Sequence, residues 1–276
     1  MNTSIAHISD THFGTEVPEV ADAVRQTLIN LKPDILILSG DITQRARTNQ
    51  FQAAVDFVES LPIKTKLAVP GNHDIPLFNL LERFLTPYKN YENAFGARET
   101  IWHNENIGIV CYDATHPMRH KMGKLEPQAL LRGVRELKKT LPPEAIIIAC
   151  AHQPLATSWE EDKSETLIHR DETARLWAEE EVDIVMSGHV HVPIFATTHK
   201  RFPDLNRHFV LVGAGTAVSH RVRSGAPNSF NLLNVTNENG AKILRVSQYE
   251  FMTNKPQFVK AKEPQFHFVN GEWIKK

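Results

Sequence analysis

Short apolar runs, each closed by a polar or glycine-containing turn, recur along the chain. They are Ile5–Ser9, Asp34–Ser39, Lys66–Val69, Ile107–Tyr112, Ala145–Ala151, Asp183–Ser187 and His208–Val212. Their shortness and their Ile and Val content predict buried strands. Between several of them the period lengthens to that of a helix. Val17–Leu31 sets Val20, Val24, Leu28 and Leu31 on one stripe, and Asn49–Leu61 does the same with Phe51, Val55, Val58 and Leu61. Glu126–Leu141 carries Pro127 in its first turn and a stripe of Leu130, Val134, Leu137 and Leu141. Strand alternating with helix predicts an α/β domain with an at least partly parallel sheet. From about Asn206 the pattern shifts to short alternating segments, Phe230–Val235, Ile243–Tyr249 and Phe266–Val269, which predict antiparallel strands added to the same domain.

A length of 276 residues suits one large domain or two small ones. With no internal repeat or convincing linker, residues 1–276 read as one domain with a β-rich extension from about residue 206. The chain is 41% hydrophobic and 23% charged, too apolar for disorder. Lys and Arg total 31 against 32 Asp and Glu, a net charge of −1. That balance weighs against long-range attraction to nucleic acid or an anionic membrane and leaves only a local basic patch as a route. No run reaches the ~18 apolar residues of a membrane span, and Met1–His7 runs into a strand rather than a signal peptide. Cys111 and Cys150 both sit within strand runs and read as inert core thiols. The chain therefore reads as cytoplasmic. Fourteen His are the first pointer to metal or proton chemistry.

The informative feature is where the His, Asp and Asn fall. One strand ends in Asp10-Thr11-His12, the next in Gly40-Asp41, the third in Gly71-Asn72-His73-Asp74, and later ones in His152 and in Gly188-His189-Val190-His191. In α/β sheets ligands bind at the carboxyl ends of strands, so five such endings converging on one edge predict a site. Two divalent ions about 3.5–4 Å apart need a shared oxygen ligand. Imidazole and carboxylate suit Zn, Mn, Fe and their neighbours, and the absence of motif cysteines argues against a thiolate site. The i, i+2 spacing of Asp10/His12 and of His189/His191 predicts paired side chains on one side of an extended segment. Gly40, Gly71 and Gly188 precede ligands, where backbone must turn tightly beside a buried site. Each residue also has a plainer reading, since Asp41 and Asn72 beside Gly are what turns select. The other His, His7 among them, mostly read as surface residues.

D-x-H, G-D, G-N-H-D, a lone His and G-H-x-H, in that order from Asp10 to His191, resemble the calcineurin-like metallophosphoesterase superfamily. The resemblance implies a central β-sandwich flanked by helices (αββα), with the metal motifs in residues 5–195. It implies two divalent or mixed-valence ions of Mn, Fe or Zn. The first would be held by Asp10, His12 and His191, the second by Asn72, His152 and His189, with Asp41 bridging. His73 would stand beside the scissile phosphate off the metals, with Asp74 orienting it.

Within the superfamily, the protein Ser/Thr phosphatases carry an acidic residue and Arg-Gly after Gly-Asp and then G-N-H-E. Here Gly40-Asp41-Ile42-Thr43-Gln44-Arg45 is followed by G-N-H-D. Lipid A precursor hydrolases have Arg in place of His73, and the repair nucleases are longer. The chain is most similar to the bacterial class III cyclic-nucleotide and glycerophosphodiester phosphodiesterases, with 31 residues separating Asp10 from Asp41 and again Asp41 from Asn72. The expected function is hydrolysis of small phosphodiesters by a metal-activated water, with a phosphomonoesterase or nucleotidase, a nuclease and a catalytically silent interaction module as rivals. Partners reduce to a small phosphoester substrate, with no membrane or nucleic acid, and homo-oligomerisation is left open. His116 and His120, in the loop after Asp113, are candidates for the substrate mouth. Arg221 and Arg223 are candidates for phosphate binding or for a solvated basic loop. Otherwise no basic residue is expected near the motifs beyond Arg45, which favours a singly charged diester. The Phe-, Tyr- and Leu-rich segment 76–99 reads as a cap over the mouth or as a helix pair on the sheet.

Overall fold

The computed structural model describes residues 2–238 and 241–276. In chain order the strand β1 (Asn2–Ile8) leads through α1 (Pro18–Leu31), β2 (Ile35–Leu38) and α2 (Thr48–Glu59) to β3 (Thr65–Ala68). A 3₁₀ turn at Asn72–Asp74 precedes α3 (Leu80–Leu85), α4 (Lys89–Phe95), β4 (Thr100–His103) and β5 (Ile107–Tyr112). Then come α5 (Pro127–Lys138), β6 (Ile146–Ala151), α6 (Arg170–Glu179), β7 (Ile184–Ser187), β8 (Ile194–Thr197) and β9 (Val210–Gly213). The rest is β10 (Ser229–Glu238), β11 (Ala241–Met252), β12 (Gln257–Lys262), β13 (Gln265–Val269) and β14 (Glu272–Lys275).

The strands form two sheets. The first runs β14-β13-β11-β10-β1-β2-β3, with β12 on β11, and the second β4-β5-β6-β7-β9-β8. The strands that carry the motifs are parallel to their neighbours, β1 to β2 to β3 and β5 to β6 to β7 to β9. β10 closes the first sheet antiparallel to β1, Ala6 opposite Leu232. Apolar side chains of both inner faces meet between the sheets, Ile5, Ile35 and Ile37 from one and Ile109, Ile148 and Met186 from the other. The outer faces are covered by α1, α2 and α4 on the first sheet and by α5 and α6 on the second. This is the αββα arrangement implied by the motifs.

The predicted stripes are the ones that bury. Val20, Val24 and Leu28 of α1 face the sheet, worth roughly 1.5–3 kcal/mol each by burial. Its end is fixed by Lys32 in a left-handed conformation, whose N–H bonds the Leu28 carbonyl. The segment 76–99 splits. Tyr91 of α4 is fully buried against Phe51 of α2, so this half packs on the sheet layer, whereas α3 turns its Leu and Phe side chains outward. Cys111 and Cys150 are free, buried and paired in register across β5 and β6. His7 corrects the reading as a surface residue. It is fully buried and bonded to Ser39 Oγ, and burial holds its pKa down to about 3. Among the described residues no helix is long and apolar enough to cross a membrane.

Candidate metal centre

The loops that leave β1, β2, β3, β6 and β7 gather at one edge of the two sheets. They are tied to one another through backbone: Asp10 N–H bonds the Gly40 carbonyl, His12 N–H the Asp41 carbonyl and Gly188 N–H the His152 carbonyl. His189 N–H reaches Asp10 Oδ2 at 3.0 Å and so links the two sheets. The expectation of extended Asp10/His12 and His189/His191 pairs is corrected here. Asp10, His12, Asp41, His189 and His191 all have positive φ, between 44° and 76°. The chain turns so sharply at each ligand that His189 and His191 serve different clusters. Gly40, at φ +92°, is where a Cβ would lie 2.5 Å from the His152 ring, and at Gly188 a Cβ would meet Ser9 and Asp10.

Two groups of ligand atoms result, Asp10, His12, Asp41 and His191 in one and Asp41, His152 and His189 in the other, each within 4.8 Å. His191 Nε2 is 3.2 Å from Asp10 Oδ1 and 3.2 Å from His12 Nε2. His152 Nε2 is 3.3 Å from Asp41 Oδ1 and 3.3 Å from His189 Nδ1. Imidazole nitrogens that face each other in pairs leave lone pairs pointing into the same space, which suits a cation. The buried Asn72 Oδ1 has no hydrogen-bond partner among the described residues. Three of the four far nitrogens are spoken for: His152 Nδ1 donates to the Ser39 carbonyl at 2.7 Å, His191 Nδ1 to the Arg221 carbonyl at 2.6 Å, and His189 Nε2 faces Glu165 at 3.3 Å, while the buried His12 Nδ1 has no partner among the described residues. Such bonds fix the tautomer and turn the other nitrogen inward. Burial drives the His12 imidazole down to about 3, so it is neutral and free to ligate. Burial also acts on His152, but Asp41 and Asp10 outweigh it and push the pKa up to about 9. The carboxylates thus call for positive charge in their midst. The donor set fits two metal ions.

Residues 3–193 match the calcineurin-like phosphoesterase family. The chain belongs to that family. Among curated relatives, the glycerophosphodiester phosphodiesterase GpdQ of Enterobacter lignolyticus is 35% identical over 81 residues, which is 25% of this chain and 29% of that protein's length. A probable cyclic nucleotide phosphodiesterase of Synechococcus is 27% identical over 69% of this chain and 74% of its own. A dimetal phosphatase of Danio rerio shares the fold, with a TM-score of 0.66 at 10% identity over 97% of this chain and 99% of its own.

Around this centre a cleft of about 200 Å³ is lined by Asp41, Asn72, His73, His189 and His191 and by Lys121, Asp162, Glu165, Arg221 and Arg223. His73 stands at the first cluster, its ring edge-on to His12 with centroids 4.8 Å apart. Its backbone N–H donates to Asp41 Oδ1, and its Nδ1 is 3.0 Å from the Gln44 carbonyl. Burial holds its pKa below the usual imidazole range against the pull of Asp41. Asp74 does not orient the His73 ring. Its carboxylate accepts from the backbone N–H of Ile42, Thr43 and Gly71 and from Thr43 Oγ1, because the loops after β2 and β3 need an acceptor between them. Burial and Asp41 raise its pKa to about 7 despite those donors.

His116 and His120 are also misplaced as mouth residues. His116 lines a separate depression with Tyr88 and Arg98, and the loop instead brings Lys121 to the cleft. The expectation of no other basic residue near the motifs fails at Lys121, which lines the cleft, whereas Arg221, a candidate for phosphate binding, lies beside His73. Arg221 Nη1 is 3.3 Å from His73 Nε2 and 2.9 Å from Gln44 Oε1. Arg223 is held by Asp162 at 2.9 Å and Glu161 at 2.6 Å. Glu165 and Asp162 had no motif to mark them. Only the fold brings the acidic turn 160–165 over the centre, where His189, then Lys121, pull Glu165 down to about 2.

Proposed function

We propose that the chain is a binuclear metal-dependent phosphodiesterase acting on a small substrate of the cyclic-nucleotide or glycerophosphodiester type. The observation that carries the reading is Asp41, whose Oδ1 lies 3.3 Å from His152 Nε2 and whose Oδ2 lies 3.9 Å from His12 Nε2. One carboxylate faces both clusters, as a bridge requires. In this reading Asp10, His12, His191 and Asp41 hold one ion, and Asn72, His152, His189 and Asp41 the other, of the Mn, Fe or Zn kind. When bound there, the ions supply Lewis-acid polarisation of the phosphoryl oxygens and an activated water for in-line attack.

The chain's own groups do the rest. The Gln44 carbonyl accepts from His73 Nδ1 and so aims Nε2 at the cleft beside Arg221. Arg221 donates to a phosphoryl oxygen in place of His73 Nε2, and His73, taking a proton from solvent at that nitrogen, gives it to the leaving oxygen. Asp74 holds the backbone that presents Asp41 and His73. Arg223 and Lys121 are matched by Asp162, Glu161 and Glu165, so Arg221 is the cation of the cleft lining with no carboxylate partner among the described residues. Arg45, also without a carboxylate partner among the described residues, meets His73 at Nδ1 and lines an adjoining groove. The cleft itself therefore offers one unmatched guanidinium, which fits the single charge of a diester, and the names of the two curated relatives support the same choice. The two neighbouring free thiols fit a reducing, cytoplasmic setting.

Three cationic side chains at the cleft favour a second reading, a phosphomonoesterase. Hydrolysis of bis(p-nitrophenyl) phosphate and p-nitrophenyl phosphate, with Mn, Fe or Zn added, separates the two. The diester kcat/KM should exceed the monoester's by at least roughly tenfold, about 1.4 kcal/mol in transition-state binding. Equal or reversed values select the monoesterase. Asp41→Ala should abolish both activities, and near wild-type turnover would place the centre elsewhere.

A further inference from the structure

The helix α3 is built inside out. Its buried residue is Arg83, 8% exposed, while Leu81 is 71% and Phe84 54% exposed. Leu80, Leu85 and the preceding Phe78 point outward too. The Arg83 guanidinium is fixed from within, donating to the Pro76 carbonyl at 2.8 Å and to the Arg119 carbonyl at 3.2 Å. The second bond joins α3 to the loop 116–122, which exposes Met118 and Met122. Together these two segments carry seven of the eleven large apolar side chains exposed among the described residues. Isolated exposed apolar residues need no explanation, but a cluster of this kind marks a surface made to be covered.

We propose that this face docks on a lipid bilayer containing anionic headgroups, with the metal cleft opening beside it. The charges around the patch select that occupant. Arg119 and Lys121 lie in the second segment, exposed Lys89 opens α4 just after the first, and Arg47 lies beside Phe78 in the adjoining groove. The carboxylate the two segments contain is Glu82, and Glu165 reaches in to pair with Lys121. Apolar side chains ringed by Lys and Arg are the pattern of interfacial segments, in which apolar burial and attraction to anionic lipid act together. A two-fold contact between copies would instead set each basic rim against itself. With six residues, α3 is only about 9 Å long, so it enters the headgroup boundary without spanning. The patch also borders the site: Lys121 lines the cleft, and Arg45, over the Phe78 ring at 5.5 Å, reaches within 3.4 Å of His73 Nδ1.

The test is flotation of the full chain with vesicles of phosphatidylcholine, alone or mixed with phosphatidylglycerol, at low and high salt. The wild type should bind the mixed vesicles at least about tenfold better than the neutral ones, less so at high salt. Leu81→Ser with Phe84→Ser should lower that binding at least about tenfold while hydrolysis of the soluble diester is unchanged, which also reports that the variant is folded. Lys89→Glu with Arg119→Glu should remove the preference for phosphatidylglycerol. Absence of wild-type binding, or equal binding by the serine variant, overturns the proposal. So does a wild-type dimer in sedimentation equilibrium that ignores vesicles and dissociates in the serine variant. Vesicle binding requires no turnover, so its failure is distinct from failure of the phosphodiesterase reading.

Discussion

Arg221→Ala isolates what the unmatched cation of the cleft contributes. The guanidinium touches only neutral partners, Gln44 Oε1 at 2.9 Å and His73 Nε2 at 3.3 Å. Its removal therefore strands no buried carboxylate. The hydrogen bond that holds His191 comes to the backbone carbonyl of residue 221, which the substitution leaves in place. Metal content and melting temperature should accordingly stay near wild type. What disappears is a charge-assisted hydrogen bond to the phosphoryl group, worth about 1.5–3 kcal/mol. At about 1.4 kcal/mol per decade this is roughly a 10- to 150-fold loss of kcat/KM. Arg221→Lys should recover part of the loss, since it restores charge without the planar fork. Arg223→Ala is the control, because its guanidinium is already engaged by Asp162 and Glu161. The assay is steady-state hydrolysis of bis(p-nitrophenyl) phosphate, with metal content measured on the same samples. Wild-type efficiency in Arg221→Ala, or a larger loss in Arg223→Ala, would refute the assignment of the two arginines.

Glu165→Gln should weaken occupancy of the second cluster by roughly 10- to 100-fold, because His189 loses the carboxylate that fixes its ring, and metal titration reads this directly; unchanged affinity would make Glu165 a surface residue. His73→Ala should keep both metals and lower kcat by about 10²–10⁴-fold, with a smaller loss for substrates that have good leaving groups. Metal loss in that variant would make His73 a ligand. Chelation should lower the melting temperature by roughly 5–10 °C, from about 2.7 kcal/mol of binding at a hundredfold excess over Kd and about 2–4 °C per kcal/mol. Coincident melts with and without chelator would rule out metal ions as part of the folded state's stability.

The strands that position the site were legible because they are buried on both faces and read as continuous apolar runs, and the helices because each buries one stripe. Ile5, Ile35, Ile148 and Met186 meet between the sheets, and Val24, Leu28 and Leu130 meet them from outside, as the period of each segment predicts. The ligand-bearing endings were legible because each stands directly after a strand. What could not be read is anything that depends on distance across the fold. Arg221 meets Gln44 across 177 residues and Asp162 meets Arg223 across 61, so the cleft's charges form only after the sheets have stacked. α6 and β8 escaped for a different reason. α6 has a low apolar content and buries Ala174, Trp177 and Ala178, and β8 is only four residues long. Asp74 departs from the role the resemblance implies, since its carboxylate finds backbone N–H groups of the loop after β2 rather than the His73 ring.

Those donors explain how the site tolerates its own geometry. Five of the candidate ligand positions are held at positive φ without glycine's freedom, a strain of order 1–3 kcal/mol for each. The compensation comes from their surroundings: parallel strands on both sides, Asp74 taking four hydrogen bonds between the loops after β2 and β3, and His189 N–H closing onto Asp10. The same crowding keeps Cβ atoms out at Gly40 and Gly188, where any side chain would displace His152 or Asp10. Such a site is set by the backbone before any ligand arrives, so its imidazoles and carboxylates need little reorganisation on binding. The rim is the opposite case. Lys121, Arg223, Glu161 and Glu165 are long side chains paired on mobile-length stems at the surface, and exchanging them should change which substrate enters far more than how the centre is built.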